Sequence, residues 1–415
     1  LKPHRLATLL LAASLLAILA ATLTSYSPAG GQPGGVLRFD WSDTADFARN
    51  VVLFAPLGLS LSLRGWRWWQ AGLAGVLLSV ALELGQLSIP GRYVSPTDIV
   101  ADTLGATAGA ALRQSLATAL RAGGVRLERW ALAVHLAAAG ALVAAPWLAQ
   151  PTPRTPPYFG HLVPDLPHFS PYAGRVDGAS IDGHVVPHGR VPGSAVLEAR
   201  LAGDFALSFH LRTAAPPTGL AALVMLTDAG SHEILLVGVD GDDLVVHQRT
   251  RARELGLEKA RLRADHALRG VEPGTSLEIG LTRRGDDFAL AVDGTPVAHF
   301  ALTLGGGWRW LAPGWRLPAA LRRGLDALWM GLLWMAVGVF HGAAPRGRVL
   351  ALGLLAIAVG IPAVSLLGPS PAAEWLGAAL GLVAGLWLWR ALAGHVAGET
   401  SSSGSPAASP SAPPR

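Results

Sequence analysis

The chain has 415 residues, of which 51% are hydrophobic and 15% charged, with a mean hydropathy of +0.40. A soluble domain carries about 25% charged residues, so the balance argues against a purely soluble protein and for contact with lipid over part of the length. The absence of cysteine excludes disulfides, thiolate metal sites, iron–sulfur clusters and cysteine nucleophiles. The net charge of +5 is almost all arginine, since Lys2 and Lys259 are the only lysines. These charges are scattered instead of gathered in one basic run, so no nucleic-acid partner is expected.

Runs of about 17 to 25 apolar residues are long enough to cross a bilayer. Such runs are predicted at 6–23, 47–63, 70–87, 98–116, 130–149, 325–340, 349–367 and 375–392, five in a first group and three in a second. The second run carries Pro56 and Gly58 and is expected to be tilted or broken. Lys2, His4 and Arg5 before the first run fit a signal peptide as well as a helix, and the absence of a soluble domain before the next run favours an uncleaved helix.

Arginine and lysine in short loops mark the cytoplasmic side. Lys2, Arg5, Arg64, Arg67, Arg113, Arg121, Arg126, Arg129, Arg346, Arg348 and Arg390 all fall on one side of this arrangement, against Arg38, Arg49 and Arg92 on the other. Arg316, Arg322 and Arg323 before the sixth run break the pattern, after a long domain where the charge rule is weak. Both termini are therefore expected in the cytoplasm, with the segment between the two groups outside.

That middle segment differs in composition. Short runs at 195–201, 205–212, 220–227, 233–239, 244–250, 276–282, 288–292 and 297–302, separated by turn residues, predict eight antiparallel strands without helices. The fold class expected is a polytopic α-helical membrane protein of about eight spans, five plus three, with an inserted all-β jelly-roll sandwich. Its expected parts are a membrane region at 1–149, a Pro-rich linker at 150–168, an extracytoplasmic sandwich at 169–313, a second membrane region at 321–394 and a disordered tail at 398–415.

The first group gathers its polar residues at one surface. Asp46, Arg49 and Asn50 share a helix face, as do Glu83 and Gln86, and Asp98 and Asp102; Arg92 lies in the intervening loop. Glu83 sits roughly 9 Å below the end of its helix at 1.5 Å per residue, and an intramembrane acid needs a partner or a proton. Polar groups near helix ends also serve as caps and interhelical links, but the convergence of the set favours a site. Glu374, ahead of Gly381 and Gly385, echoes Asp98 ahead of Gly105 and Gly109, and would join the same surface if the two groups are copies.

The order Asp46-x-x-Arg49-Asn50, Leu53-Phe54-x-Pro56-Leu57-Gly58, Glu83-x-x-Gln86, Ile89-Pro90-Gly91-Arg92, Thr97-Asp98 and Thr103-Leu104-Gly105-x-x-x-Gly109 resembles the VanZ-like membrane family, over residues 40 to about 116. In that family the position of Asp102 is usually Asn, so this chain departs there. The resemblance implies an envelope protein associated with glycopeptide (teicoplanin) resistance, without an established chemistry. The stretch from Ser276 to Asp293-Gly294, with the earlier run from Phe205, resembles laminin G-like, concanavalin A-like jelly rolls over residues 169–312.

Two functions follow. The leading one is binding, by Asp46, Arg49, Asn50, Glu83, Gln86, Arg92, Asp98, Asp102 and Glu374, of cell-wall glycan, lipid-linked peptidoglycan precursor or glycopeptide. The alternative is a membrane-embedded transferase or hydrolase with Glu83 or Asp98 as general base and Arg92 holding an anionic lipid-linked substrate. A glucanase in the β-domain is disfavoured, because no strand carries the paired carboxylates that reaction needs. Asp240, Asp242 and Asp243 are weak calcium candidates beside the simpler reading of a solvated hairpin turn. Trp308, Trp310 and Trp315, next to the sixth span, are expected in the interfacial aromatic belt.

Overall fold

The computed structural model describes residues 3–23, 43–87, 94–259, 261–285, 287–312, 317–341 and 347–402. Five long helices come first: α1 (Pro3–Leu23), α2 (Thr44–Leu63), α3 (Trp68–Gln86), α4 (Pro96–Ala122) and α5 (Gly124–Ala149). Pro56 lies inside α2, which runs as one continuous helix, so of the tilted or broken helix expected the broken form is excluded.

The middle segment forms strands β1 (Phe159–Leu162), β2 (Arg175–Ile181), β3 (His184–Val185) and β4 (Gly189–Arg190), then helix α6 (Ser194–Ala202), then β5 (Phe205–Arg212), β6 (Leu220–Thr227), β7 (Glu233–Asp240) and β8 (Asp243–Gln248). The short helix α7 (Arg251–Glu254) precedes β9 (Arg261–Ala264), β10 (Ser276–Arg284), β11 (Asp287–Val292) and β12 (Thr295–Ala301), and a 3-10 turn (Leu304–Trp310) leads out. Three long helices close the chain: α8 (Ala319–His341), α9 (Gly347–Val364) and α10 (Ala372–Ser402).

Two six-stranded antiparallel sheets, ordered β4-β1-β6-β7-β8-β9 and β12-β11-β10-β5-β2-β3, enclose one core. In β5 alternate side chains, Phe205, Leu207, Phe209 and Leu211, face inward and are buried, opposite Leu277, Ile279 and Leu281 of β10. Each such Leu or Phe contributes about 1.5 to 3 kcal/mol on burial. The first sheet is covered on its other face too, where Leu166 and Phe169 pack on Ala222, Met225 and Leu236. On that sheet Glu233, 13% exposed at its side chain, lies 2.9 Å from Lys259 Nζ and 3.3 Å from Nδ1 of the buried His247.

Two expectations for this domain are corrected. Residues 195–201 are helix and not strand, because burial recurs at Ser194, Leu197 and Leu201, a helical and not an alternating period. The Pro-rich stretch before the domain contributes β1, which pairs with β6 inside the first sheet.

Among the described residues five helices are long and apolar enough to cross a membrane: α3, α5, α8, α9 and α10 to Arg390, with a shorter apolar stretch in α1. The membrane part packs as close helix pairs. A Cβ on Gly105 or Gly109 of α4 would lie 2.4 Å from Val51 O or 2.0 Å from Ala55 O of α2, and one on Gly58 would lie 1.8 Å from Ala106 O. Only glycine allows that approach.

The pair α8/α10 repeats this register. Gly381 meets Gly331 O as Gly105 meets Val51 O, Gly385 meets Met335 O as Gly109 meets Ala55 O, and Gly338 meets Leu382 O as Gly58 meets Ala106 O. One constant offset for each helix maps all three contacts, and the same offsets carry Asp46 onto Asp326 and Asp98 onto Glu374.

The two helical groups form one bundle. Along α5, Ala138, Leu142 and Ala145 share a core with Met330 and Trp334 of α8 and Leu354 and Ala358 of α9. At the end away from the β-domain, Trp130 stacks on Phe340 with ring centroids 6.5 Å apart, in a cluster with Leu116 and Trp389.

Candidate functional site

The start of α2, the end of α3 and the start of α4 lie at the end of the bundle that carries the β-domain. Asp43 caps α2 by accepting from Asp46 N at 2.9 Å. One turn on, Arg49 donates from Nη2 to Asp46 Oδ1 (2.8 Å) and from Nη1 to Glu258 Oε1 and Leu311 O (both 2.9 Å). Arg49 thus joins helix and β-domain, a role reinforced by Ala45 N donating to Gly256 O at 3.1 Å. Asn50 is half-buried next to it.

Glu83, 4% exposed, accepts from Ser95 N at 2.8 Å, so the acid at the end of α3 holds the residue that precedes α4. Pro96 then takes the first helical position, where its missing N–H costs nothing. The Ser95 hydroxyl donates to Asp98 Oδ1 (2.9 Å) and accepts from Thr97 Oγ1 (2.7 Å). One turn deeper, Asp102 is 5% exposed and accepts from Ser79 Oγ at 2.7 Å. Ser79 reaches it because α3 lies close on α4, with Gly75 facing Ala106 and Asp102 O.

The carboxylates of Asp98, Glu83 and Asp46 are all near enough to act on the charge of Asp102. Its Oδ1 is buried and has no hydrogen-bond partner among the described residues. Gln86, also buried, donates to Thr22 O at 3.1 Å and ties α3 to α1. Arg92 lies outside the described residues.

Four acids from three helices therefore converge, and the result is rich in acceptors. Such a place offers acceptors to hydroxyl or ammonium donors.

Glu374 sits elsewhere. It is 1% exposed and accepts from Thr303 Oγ1 and from Gly305 N (3.0 Å), at the exit of the β-domain. Asp326, its companion on α8, accepts from Trp308 Nε1 (2.8 Å) and Arg309 Nη2 (2.7 Å). The second helix pair thus uses the acids equivalent to Asp46 and Asp98 to grip the 3-10 turn. Asp326 escapes a reading of the sequence by motif, and only its register with Asp46 would have marked it. Trp310, 5% exposed, is packed inside this joint rather than in an interfacial belt, and Trp308 faces Asp326; Trp315 lies outside the described residues.

The calcium candidates are engaged by protein cations. Arg263 pairs with Asp240 and, at 2.6 Å, with Asp243, while Asp242 accepts from His266 Nδ1 at 2.8 Å. Asp242, Asp243 and His266 place ligand atoms within 4.8 Å of one another, but the guanidinium already supplies the charge a metal would bring to Asp243.

A family model, VanZ/LLP1, matches residues 9–116, which hold nearly all of α1 to α4 and the four acids. No curated protein and no solved structure matches the chain.

Proposed function

We propose that this is a cell-envelope protein that binds a hydroxyl- or amine-bearing ligand, cell-wall glycan or glycopeptide antibiotic, at the outer end of its VanZ-like helices. In this reading all eight long helices cross the cytoplasmic membrane, both termini are cytoplasmic, and the β-domain is a jelly roll of the laminin G-like kind standing outside. The two antiparallel sheets support that fold, and the bias of arginine to one set of loops supports the orientation.

One observation carries the binding reading: Asp102, buried among Asp46, Glu83 and Asp98, keeps an acceptor oxygen unpartnered among the described residues. Burial of such an oxygen costs about 1 to 3 kcal/mol, which a ligand donor would return. The enzyme alternative has less support. Arg49, a cation at this end, is engaged by Asp46, Glu258 and Leu311, and Arg92, the residue that reading needs to hold an anionic substrate, lies outside the described residues.

The test is calorimetric titration of the full chain in maltoside micelles with teicoplanin and with a soluble muropeptide. Saturable binding of one of them, weakened about tenfold by Asp102→Asn, is expected from the loss of one charged acceptor. Failure of both ligands to bind, or equal binding by the variant, refutes the reading.

A further inference from the structure

A second polar site lies off the helices. Where the β-domain meets the bundle, a cleft of about 950 Å³ is lined by Arg154, Arg249 and Arg253 together with Asp43, Asp228 and Glu254. Arg249 is fixed by its backbone, which donates to Ile234 O (2.8 Å) and accepts from Thr152 N (3.2 Å). Its side chain is not answered. Arg249 is 7% exposed, its Nε has no hydrogen-bond partner, and it joins no ion pair among the described residues.

The neighbouring charges do little to settle it. Asp228 is already held by Gly230 N (2.9 Å), His232 N (2.8 Å) and His232 Nδ1 (3.0 Å), with Arg154 Nε 3.6 Å away. Glu254 is exposed, as are Asp43 and Arg253. Burial first, and then the guanidinium of Arg154, lower the pKa of Arg249, which marks a cation held at a cost. A buried guanidinium with Nε unpaired and no ion pair carries a desolvation cost that Glu254 and Asp228 offset only in part, and a bound anion would reduce it.

The position of the cleft narrows the class of anion. Asp43 caps α2, and Gly256, also in the lining, accepts from Ala45 N. The cleft therefore opens where α2 begins; with α2 spanning the membrane, as proposed above, that is the level of phosphate headgroups in a bilayer. Guanidinium forks suit the paired oxygens of phosphate, and the volume admits a headgroup rather than an ion alone.

We propose that this cleft binds a phosphate-bearing anion, with Arg249 as the buried anchor and Arg154 and Arg253 closing on it from the more exposed side. The site is distinct from the acids of α2 to α4, and it does not depend on what they bind.

The full chain in maltoside micelles, free of phospholipid, is titrated by calorimetry with pyrophosphate and with dihexanoyl phosphatidic acid. Saturable binding of at least one is expected, weakened about tenfold or more by Arg249→Gln, since loss of a charged anchor costs at least 1.4 kcal/mol. Arg175→Ala, at an exposed site on β2, should leave it intact. Tighter binding of the lipid identifies a headgroup, and tighter binding of pyrophosphate a soluble anion. Because Arg249→Gln alters a buried residue, Arg253→Ala repeats the test at an exposed one and should weaken binding about threefold. Absence of saturable binding by both probes, unchanged binding in the Arg249 and Arg253 variants, or an equal loss in Arg175→Ala overturns the proposal.

Discussion

Replacing Gly381 by Ala adds one methyl group at the closest approach of α8 and α10. An ideal Cβ there lies 2.0 Å from Gly331 O, 2.7 Å from its carbonyl carbon and 2.8 Å from its Cα. Ordinary contact begins near 3.4 Å, and the obstructing atoms are backbone, so no side-chain rotation relieves the clash. The helices must part by about 1.4 Å, a shift comparable with those that overpacking mutants force at a cost of about 1 to 3 kcal/mol. Gly377 and Gly385 flank the site and touch Ala327 O and Met335 O, so the separation loosens three contacts together and places the loss at the upper end of that range.

Gly140→Ala on α5 is the control. Nothing lies within 4 Å of a Cβ at Gly140, and alanine in a helix is favoured over glycine by about 0.5 to 1 kcal/mol. The two changes are thus chemically identical with opposite expected signs. Denaturant titration of the full chain in mixed micelles, followed by tryptophan fluorescence, measures both. Equal or greater stability of Gly381→Ala would show that the helices are not in backbone contact and would refute the reasoning.

Two more expectations follow from the β-domain and from the composition. Burial alone would raise the pKa of Glu233, but His247 and Lys259 outweigh it and bring the carboxyl to about 2, from an ordinary 4.5. Its contribution is present above pH 4.5 and is lost as the pH falls toward 2; Glu233→Gln should flatten the acid limb of a stability profile measured by urea unfolding between those limits. The cysteine-free sequence lets single thiols report sidedness without background. Thr218→Cys, exposed in the β-domain, should react with a membrane-impermeant maleimide on intact cells, whereas Arg121→Cys, exposed at the end of α4, should react after lysis only; the reverse pattern would invert the topology.

The helices were legible because eight apolar runs stand out against polar connections, and each corresponds to one long helix. Strands β5 and β6 were equally plain, since Phe205 to Arg212 alternates and Leu220 to Thr227 is a short apolar run between turns. Strand β9 was hidden by its charges: Arg261 and Arg263 flank Leu262, and Arg263 is tolerated because Asp240 and Asp243 receive it. In the site, Glu83, Asp98 and Asp102 could be found because acids are scarce in apolar helices. The partners of Arg49 could not, since Glu258 is 209 residues away in sequence and nothing local announces the pairing.

The residues between the last strand and α8 connect both helical groups to the β-domain. Gly368 N donates to Leu302 O at 2.8 Å, Glu374 holds Thr303 and Gly305, Asp326 holds Trp308 and Arg309, and Arg49 reaches Leu311 O. A single strip of ten residues, Leu302 to Leu311, is thereby pinned to α2, α8, α10 and the segment before α10. Mechanically this is a rigid mount and not a tether: the β-domain cannot tilt on the helices without drawing their ends with it. Any pull on the domain would be felt at the buried carboxylates Glu374 and Asp326.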